Sequence, residues 1–287
     1  MVCVAMSITE PLKLNPGLYI VATPIGNLGD ITLRAAEVLR IADVVAAEDT
    51  RVTAKLLHRI GSKRPMTPYH DHSSDATRQR LVERARTEAV ALVSDAGTPL
   101  VSDPGYRLVR AARDAGVSVA TLPGPCAAIA ALTLSGLPTD RFLFGGFLPP
   151  KPKALKDAIA AVRRIDATLV FYETGNRLPR VLAALLEGLG ERPAAVAREL
   201  TKTFEEVATG SLAALAERYA GTGPKGEIVI VVGPPEAEAP DAATLDAALV
   251  AALGVQPLKS AVAEVAGALG LPRGTVYARA LELRDRA

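Results

Sequence analysis

The sequence predicts a two-domain α/β protein with a small helical appendage of helix-turn-helix type at its C-terminal end. Three observations carry this. Short β-branched runs recur at 18–22, 44–47, 90–94, 117–122, 169–172, 195–197 and 228–232, separated by stretches with helical spacing. At 287 residues the chain is long enough for roughly two domains, at about 150 residues each. After residue 232 the pattern changes, and two amphipathic segments flank the tight turn Gly270-Leu-Pro-Arg-Gly274.

Each part follows in order. Residues 1–16 form an N-terminal extension, and 17–125 a first α/β domain. In that domain Ile31, Ala35, Val38, Leu39 and Ala42 keep helical spacing, with Asp30 at the position expected of an N-cap. The turn-rich stretch Ser135-Gly-Leu-Pro-Thr-Asp140 precedes Phe142-Leu-Phe-Gly-Gly-Phe147, where a second βα series begins. The second domain is therefore taken as 126–233. Three prolines and two acids in Gly233-Pro-Pro-Glu-Ala-Glu-Ala-Pro240 read as an extended linker, 234–244. In the last unit, 245–287, helical period over 258–269 is followed by the turn and by Thr275 as cap of a second helix.

Composition excludes several classes. Hydrophobic residues at 49% and charged residues at 22% leave no case for disorder or a fibrous repeat. The two cysteines, Cys3 and Cys126, have no CxxC spacing, which fits a reducing compartment. No apolar run approaches a membrane span and the opening residues lack a basic leader pattern, so a cytoplasmic protein is expected. Formal charge is only +2, yet it is segregated. Residues 51–86 hold nine Lys or Arg against three acids, and 151–180 seven against three, surfaces that suit a phosphate-rich partner. His70 and His72 lack the Cys or His company of a metal site, and no metal is expected.

The chemistry sits in loops that follow strands. The first, Thr23-Pro-Ile-Gly-Asn-Leu-Gly-Asp30, carries glycines that let backbone approach a ligand, but its GxxG spacing lacks the dinucleotide fingerprint. Asp49, twenty residues after Gly29, stands where a dinucleotide fold would place a ribose-binding acid. The loop of residues 95–105 holds two Gly, two Pro and two Asp with no helical period; so irregular a connection reads as a ligand loop. Pro123-Gly-Pro-Cys-Ala-Ala128 supplies small residues that leave room for a flat ligand.

Six segments together carry a resemblance: Leu18-Tyr-Ile-Val-Ala-Thr-Pro-Ile-Gly-Asn-Leu-Gly-Asp-Ile31, Ala46-Ala-Glu-Asp-Thr-Arg51, Leu92-Val-Ser-Asp-Ala-Gly-Thr-Pro99, Leu122-Pro-Gly-Pro-Cys-Ala-Ala128, Ala197-Arg-Glu-Leu-Thr-Lys202 and Lys225-Gly-Glu227. Over roughly residues 17–233 the chain resembles the tetrapyrrole methylase superfamily, and within it the branch acting on small-subunit ribosomal RNA. The resemblance implies a tetrapyrrole methylase-like fold and transfer of a methyl group from S-adenosyl-L-methionine to the ribose 2′-hydroxyl of a 16S rRNA cytidine. It also implies a homodimer acting on the small ribosomal subunit.

Residue by residue, the resemblance places Gly97, Thr98, Val101, Cys126 and Ala127 around the cofactor, closed by Tyr172 and Ala197 from the second domain. It turns the first Gly loop, with Gly26, Asn27 and Asp30, toward the substrate, joined by Arg198, and so replaces the ribose reading of Asp49. Asp49 and Glu199 are then the expected bases, and Arg51, Arg198 and Lys202 the expected clamps, with 48–51 facing 198–202 across a cleft. Two departures stand out. Phe171-Tyr-Glu-Thr-Gly-Asn-Arg177 carries Asn176 where the family has a histidine, and His70-Asp-His-Ser-Ser74 lacks the family's Asn and Glu.

Overall fold

A computed structural model describes residues 14–221, 223–236 and 242–284. Cys3, most of the N-terminal extension, the linker from residue 237 to 241 and the acid-base run at 285–287 lie outside those residues. The chain divides into two units, Met1–Pro234 and Pro235–Ala287.

The larger unit contains two five-stranded sheets. In the first, β1 (Gly17–Val21), β2 (Val44–Ala47), β3 (Met66–Pro68), β4 (Ala89–Val93) and β5 (Val119–Leu122) run parallel in the order β3-β2-β4-β1-β5. These strands are near-continuous apolar runs because both faces are covered. Val45, Ala47, Ala91 and Val93 pack against α1 (Leu33–Ile41) and α2 (Thr50–Arg59). Val44, Ala46, Val90 and Leu92 pack on the other face against α3 (Asp75–Arg84) and α4 (Tyr106–Asp114).

Successive connections leave β1 and β4 in opposite directions along the sheet, so the crevice beyond their carboxyl ends is the topological switch point where α/β folds bind ligands. The sheet order thus brings the loops after β4, β1 and β5 side by side.

The second sheet is mixed. β6 (Phe142–Phe147), β7 (Thr168–Thr174), β8 (Pro193–Arg198), β9 (Glu206–Ser211) and β10 (Glu227–Val232) stand in the order β6-β7-β10-β8-β9, and only β6 and β7 pair in parallel. One face packs on α6 (Pro152–Val162), α7 (Leu178–Leu189) and α8 (Leu212–Arg218). The other receives α5 (Ala127–Leu134) through Ala128, Ala131 and Leu132, together with Ile25 from the first Gly loop. A bulge between Phe144 and Gly146 has its reason in Gly145, whose absent Cβ would lie 2.5 Å from the Phe171 ring.

Two caps differ from the sequence expectation. Asp30 does not cap α1; it closes a 3-10 turn, Leu28–Asp30, whose cap is Asn27, and the following extended Ile31 delays the helix until Thr32 accepts from the Ala35 amide at 3.1 Å. In the smaller unit α9 (Ala242–Leu253), α10 (Leu258–Leu269) and α11 (Arg273–Arg284) share one apolar core. Thr275 does not cap α11, which begins two residues earlier, directly after Pro272. Arg279 is held by both oxygens of Asp246 at 2.6 Å and by Glu282, and so staples α11 to α9.

Candidate functional site

The three strand-end loops of the first sheet brace one another. Thr23 and Gly97 exchange backbone hydrogen bonds of 2.8 and 3.0 Å, Thr98 Oγ1 donates to the Pro125 carbonyl at 3.0 Å, and Gly124 sits against Ala22, with only 2.9 Å from an added Cβ to the Ala22 Cβ. Gly97 adopts φ +78°, a conformation glycine reaches without steric cost. Leu100 (φ 77°) and Ser102 (φ 63°) are left-handed without being glycine, strain of about 1 kcal/mol each that the surrounding packing holds in place.

Between these loops and the second sheet lies a cavity of about 270 Å³, near the lower end of small-molecule sites. The first sheet contributes Ile25, Gly97, Thr98, Val101 and Asp103. The far wall is a row set by strand register: Phe147 pairs with Tyr172, Tyr172 with Val229 and Val229 with Ala197, and all four line the cavity. The Tyr172 ring stands edge-on to Phe144 and Phe147, and its hydroxyl accepts from the Ala128 amide at the start of α5 at 3.2 Å. Burial, then the neighbouring Cys126, raises the Tyr172 pKa, so its hydroxyl stays protonated at neutral pH.

Of the residues assigned to the cofactor from sequence, Gly97, Thr98, Val101, Ala127, Tyr172 and Ala197 line this cavity. Cys126 stands just behind it as N-cap residue of α5. Among the residues assigned to the substrate, Gly26 lies under the Lys202 side chain, whose carbons an added Cβ would meet at 2.5 Å. Asn27 is spent on its own turn, accepting from the Gly29 amide at 2.9 Å, and Arg198 pairs with Glu206 at 3.1 Å. Asp30 keeps one buried carboxylate oxygen without a partner.

The four residues assigned to catalysis fall in two places, and none lines the cavity. Asp49 caps α2, accepting from the Arg51 amide at 2.8 Å, while the Arg51 guanidinium grips both its oxygens at 2.6 and 3.0 Å. The Arg51 side-chain hydrogen bond pulls the Asp49 carboxyl down to about 2, which makes it a poor base. Because the folded-state pKa is depressed, Asp49 stabilises the fold above the usual carboxylate range, and that contribution is lost as pH falls toward 2. Asp49→Ala is expected to lower the melting temperature by a few degrees and to leave cofactor binding unchanged, measured by thermal denaturation and calorimetry.

Glu199, held at φ 51°, accepts from Lys202 Nζ and from the Glu227 amide, each at 3.1 Å; Lys202 also reaches Glu227 at 2.9 Å. Burial opposes ionisation of Glu199, but the Glu227 amide and Lys202 outweigh it and leave its pKa lowered. The 48–51 segment is therefore anchored to the β4 loop, where the Asp49 amide donates to Asp95 at 3.0 Å, and 198–202 to Gly26 and Glu227.

Sequence reasoning passed over three cavity carboxylates: Asp103, Glu173 and Glu227. Glu173, wholly buried, pairs with Arg177 at 3.2 Å and accepts from the Thr174 amide at 2.7 Å. Asp103 pairs with no cation among the described residues; burial, then the nearby acids, pushes its pKa up to about 6 despite a Ser94 hydrogen bond. The 95–105 loop was the available signal, but nothing local distinguishes Asp103 from Asp95. No group of His, Cys, Asp and Glu among the described residues is arranged to hold a metal ion.

Comparison with known proteins supplies the rest. The model of the Tetrapyrrole (Corrin/Porphyrin) Methylases matches residues 17–216, and that of the RsmI C-terminal HTH domain residues 238–284. A ribosomal RNA small subunit methyltransferase I from Mesorhizobium japonicum is 52% identical over 275 residues, covering 95% of this chain and 94% of the relative. The chain belongs to the ribosomal RNA small subunit methyltransferase I family. Another member, from Erythrobacter litoralis, is 56% identical across 96% of this chain and 97% of its own; one from Escherichia coli O157:H7 is 45% identical across 92% and 94%. Among solved structures, a Thermus thermophilus uroporphyrin-III-C-methyltransferase superposes with a TM-score of 0.54 at 25% identity, covering 76% of this chain and 94% of its own. A diphthine synthase superposes at 0.57 and 20%, covering 75% and 89%. These last two share the fold of the larger unit. The family's sequence pattern and the fold agree: this is an rRNA methyltransferase of tetrapyrrole methylase architecture, carrying the helix-turn-helix domain of its family.

Proposed function

We propose that the chain transfers a methyl group from S-adenosyl-L-methionine to the 2′-oxygen of a cytidine ribose in 16S rRNA, cytidine 1402 of the small ribosomal subunit. The observation that carries this reading is the braced cavity at the switch point, closed by the Phe147–Tyr172–Val229–Ala197 row. Its residues fit the cofactor. Gly97 and Gly124 stand where a Cβ would crowd the loops, the wall offers the Tyr172 and Phe147 rings with Val229 and Ala197 to a purine, and Asp103 offers a carboxylate to a cation.

When bound, the cofactor supplies an activated methyl group on a cationic sulfur. The protein's part is placement. An in-line displacement needs the acceptor oxygen held roughly 3–3.5 Å from the methyl carbon, opposite the sulfur. Thr98 and Val101 line the cavity from the first sheet and Tyr172 and Phe147 from the second, and Gly26, packed against Lys202 beside the lining residue Ile25, is the proposed side of ribose approach. The Lys202 ammonium, shared between Glu199 and Glu227, offsets one of their two charges and so lessens the rim's repulsion of an RNA phosphate.

Labelled cofactor offered with small subunits from a strain lacking the enzyme, free RNA, a tetrapyrrole and duplex DNA tests the assignment: label in the 2′-O-methylated cytidine alone is expected. Transfer to the tetrapyrrole instead moves the chain to a C-methylating branch, and specific binding to duplex DNA without transfer makes it a regulator.

RNA affinity is expected to fall with salt, at roughly −0.7 per phosphate neutralised on a single strand. Within 51–86, Arg78, Arg84 and Arg86 already pair with Asp75, Glu88 and Glu83, which leaves α2, with Lys55 and Arg59 exposed, as the stronger contributor. Lys55→Ala with Arg59→Ala is accordingly expected to reduce the slope of log affinity against log salt by about 1–2, read by filter binding.

We further propose a cytoplasmic homodimer. No helix among the described residues is long and apolar enough to cross a membrane, and α5 exposes Ile129 and Leu134, apolar surface that a second copy would cover. Light scattering should then give twice the 29.9 kDa chain mass.

A further inference from the structure

Three carboxylates line the cavity, and their surroundings differ. Glu173 is neutralised by Arg177 and Glu227 by Lys202. Asp103 has no such partner among the described residues. The ionisable groups facing it are Glu48 from the end of β2, Asp71 from the turn after β3, Asp95 from the β4 loop and the protonated Tyr172 from β7. All but Tyr172 carry like charge. Three residues and one residue before it, at Leu100 and Ser102, the backbone is left-handed, so the Asp103 side chain is delivered to the cavity at the cost of local strain. Such an arrangement destabilises the empty site; it is the electrostatic complement of a bound positive charge.

We infer that Asp103 is the carboxylate that receives a cationic group of the methyl donor, either its sulfonium or its α-ammonium. The inference rests on the donor assignment proposed above. Asp103 then acts as a positioning residue: it fixes one end of the donor while Tyr172 and Ala197 hold the flat end. Its charge also makes donor affinity depend on pH. With the free-state pKa near 6, protonation at pH 5 removes the charge before the donor arrives, whereas at pH 7.5 it is present.

The test is calorimetric titration of the full chain and its Asp103→Asn variant with S-adenosylmethionine and with S-adenosylhomocysteine, a neutral thioether that keeps the ammonium, at pH 7.5 and pH 5. Wild-type affinity for S-adenosylmethionine is expected to fall about tenfold between the two pH values. The variant should bind at pH 7.5 at least as weakly as wild type does at pH 5, and change little on acidification. His70 lies close to Glu48, so only the pH dependence lost in the variant is assigned to Asp103. Loss confined to S-adenosylmethionine places the sulfonium at Asp103; equal loss for both ligands places the ammonium there. Folding is checked independently: removing a repelled charge should leave the variant's melting temperature at pH 7.5 equal to or above that of wild type. A variant that melts normally and binds both ligands as wild type does overturns the inference while leaving the donor assignment standing. A wild-type chain that gives no heat with either ligand overturns both.

Discussion

Gly175→Ala is expected to destabilise the larger unit by about 2–4 kcal/mol, read as a shift of the denaturation midpoint at unchanged slope. Gly175 opens the short 3-10 turn after β7, and a Cβ there would stand 1.5 Å from the Pro224 carbonyl oxygen; the Gly175 carbonyl in turn occupies the space a Cβ on Gly223 would need, at 1.8 Å. Two backbones are therefore in direct contact, with a 3.3 Å hydrogen bond from the Gly175 amide to Gly226. Unlike a clash with a flexible side chain, this one is relieved only by separating the ends of β7 and β10. Those strands carry Tyr172 and Val229, so cofactor affinity should fall together with stability. A variant as stable as wild type would show that the 223–226 turn moves aside freely, contrary to this packing.

Gly97→Val is expected to weaken S-adenosylmethionine binding by about a hundredfold or abolish it, measured by calorimetry, with a smaller loss of stability. Three costs coincide at one position. A β-branched residue at φ +78° is strained, its Cβ would press Ile25 at 3.3 Å, and its methyl groups would enter the cavity. The Thr23–Gly97 bridge also ties the β1 and β4 loops together, so a shift at Gly97 propagates to the substrate rim at Gly26. Gly97→Ala, adding only the Cβ, should lose less, and the ordering of the two variants is part of the expectation.

The contrast between these sites and Asp49 explains what could be read early. Local chemistry advertises itself: Thr-Pro-Ile-Gly, Asp-Ala-Gly-Thr-Pro and Pro-Gly-Pro are loops in any context, because Gly and Pro constrain φ and because such residues cannot continue a strand or helix. The strand at 44–47 and the helix at 258–269 were readable in the same way, from runs and periods. Asp49 and Glu199 looked like bases because a carboxylate beside an arginine or lysine has the same spelling whether it serves catalysis or a cap. Only their hydrogen bonds, to Arg51 and Lys202, show carboxyls held ionised and occupied. Short edge strands such as Met66–Pro68 and Glu206–Ser211 carry too little apolar alternation to be seen at all.

Sequence by itself determined the α/β class, the three strand-end loops and the family, since these depend on residues close together in the chain. Tertiary structure alone decided which residues meet. Phe147, Tyr172, Ala197 and Val229 come from four strands spread over more than eighty residues and share a wall only through sheet register, a one-residue slip of which would turn each to the opposite face. Asp103 acquires its character the same way: Asp95 shares its loop, but Glu48 and Asp71 come from two other strand ends, and their combined field exists only once the parallel sheet has aligned those ends.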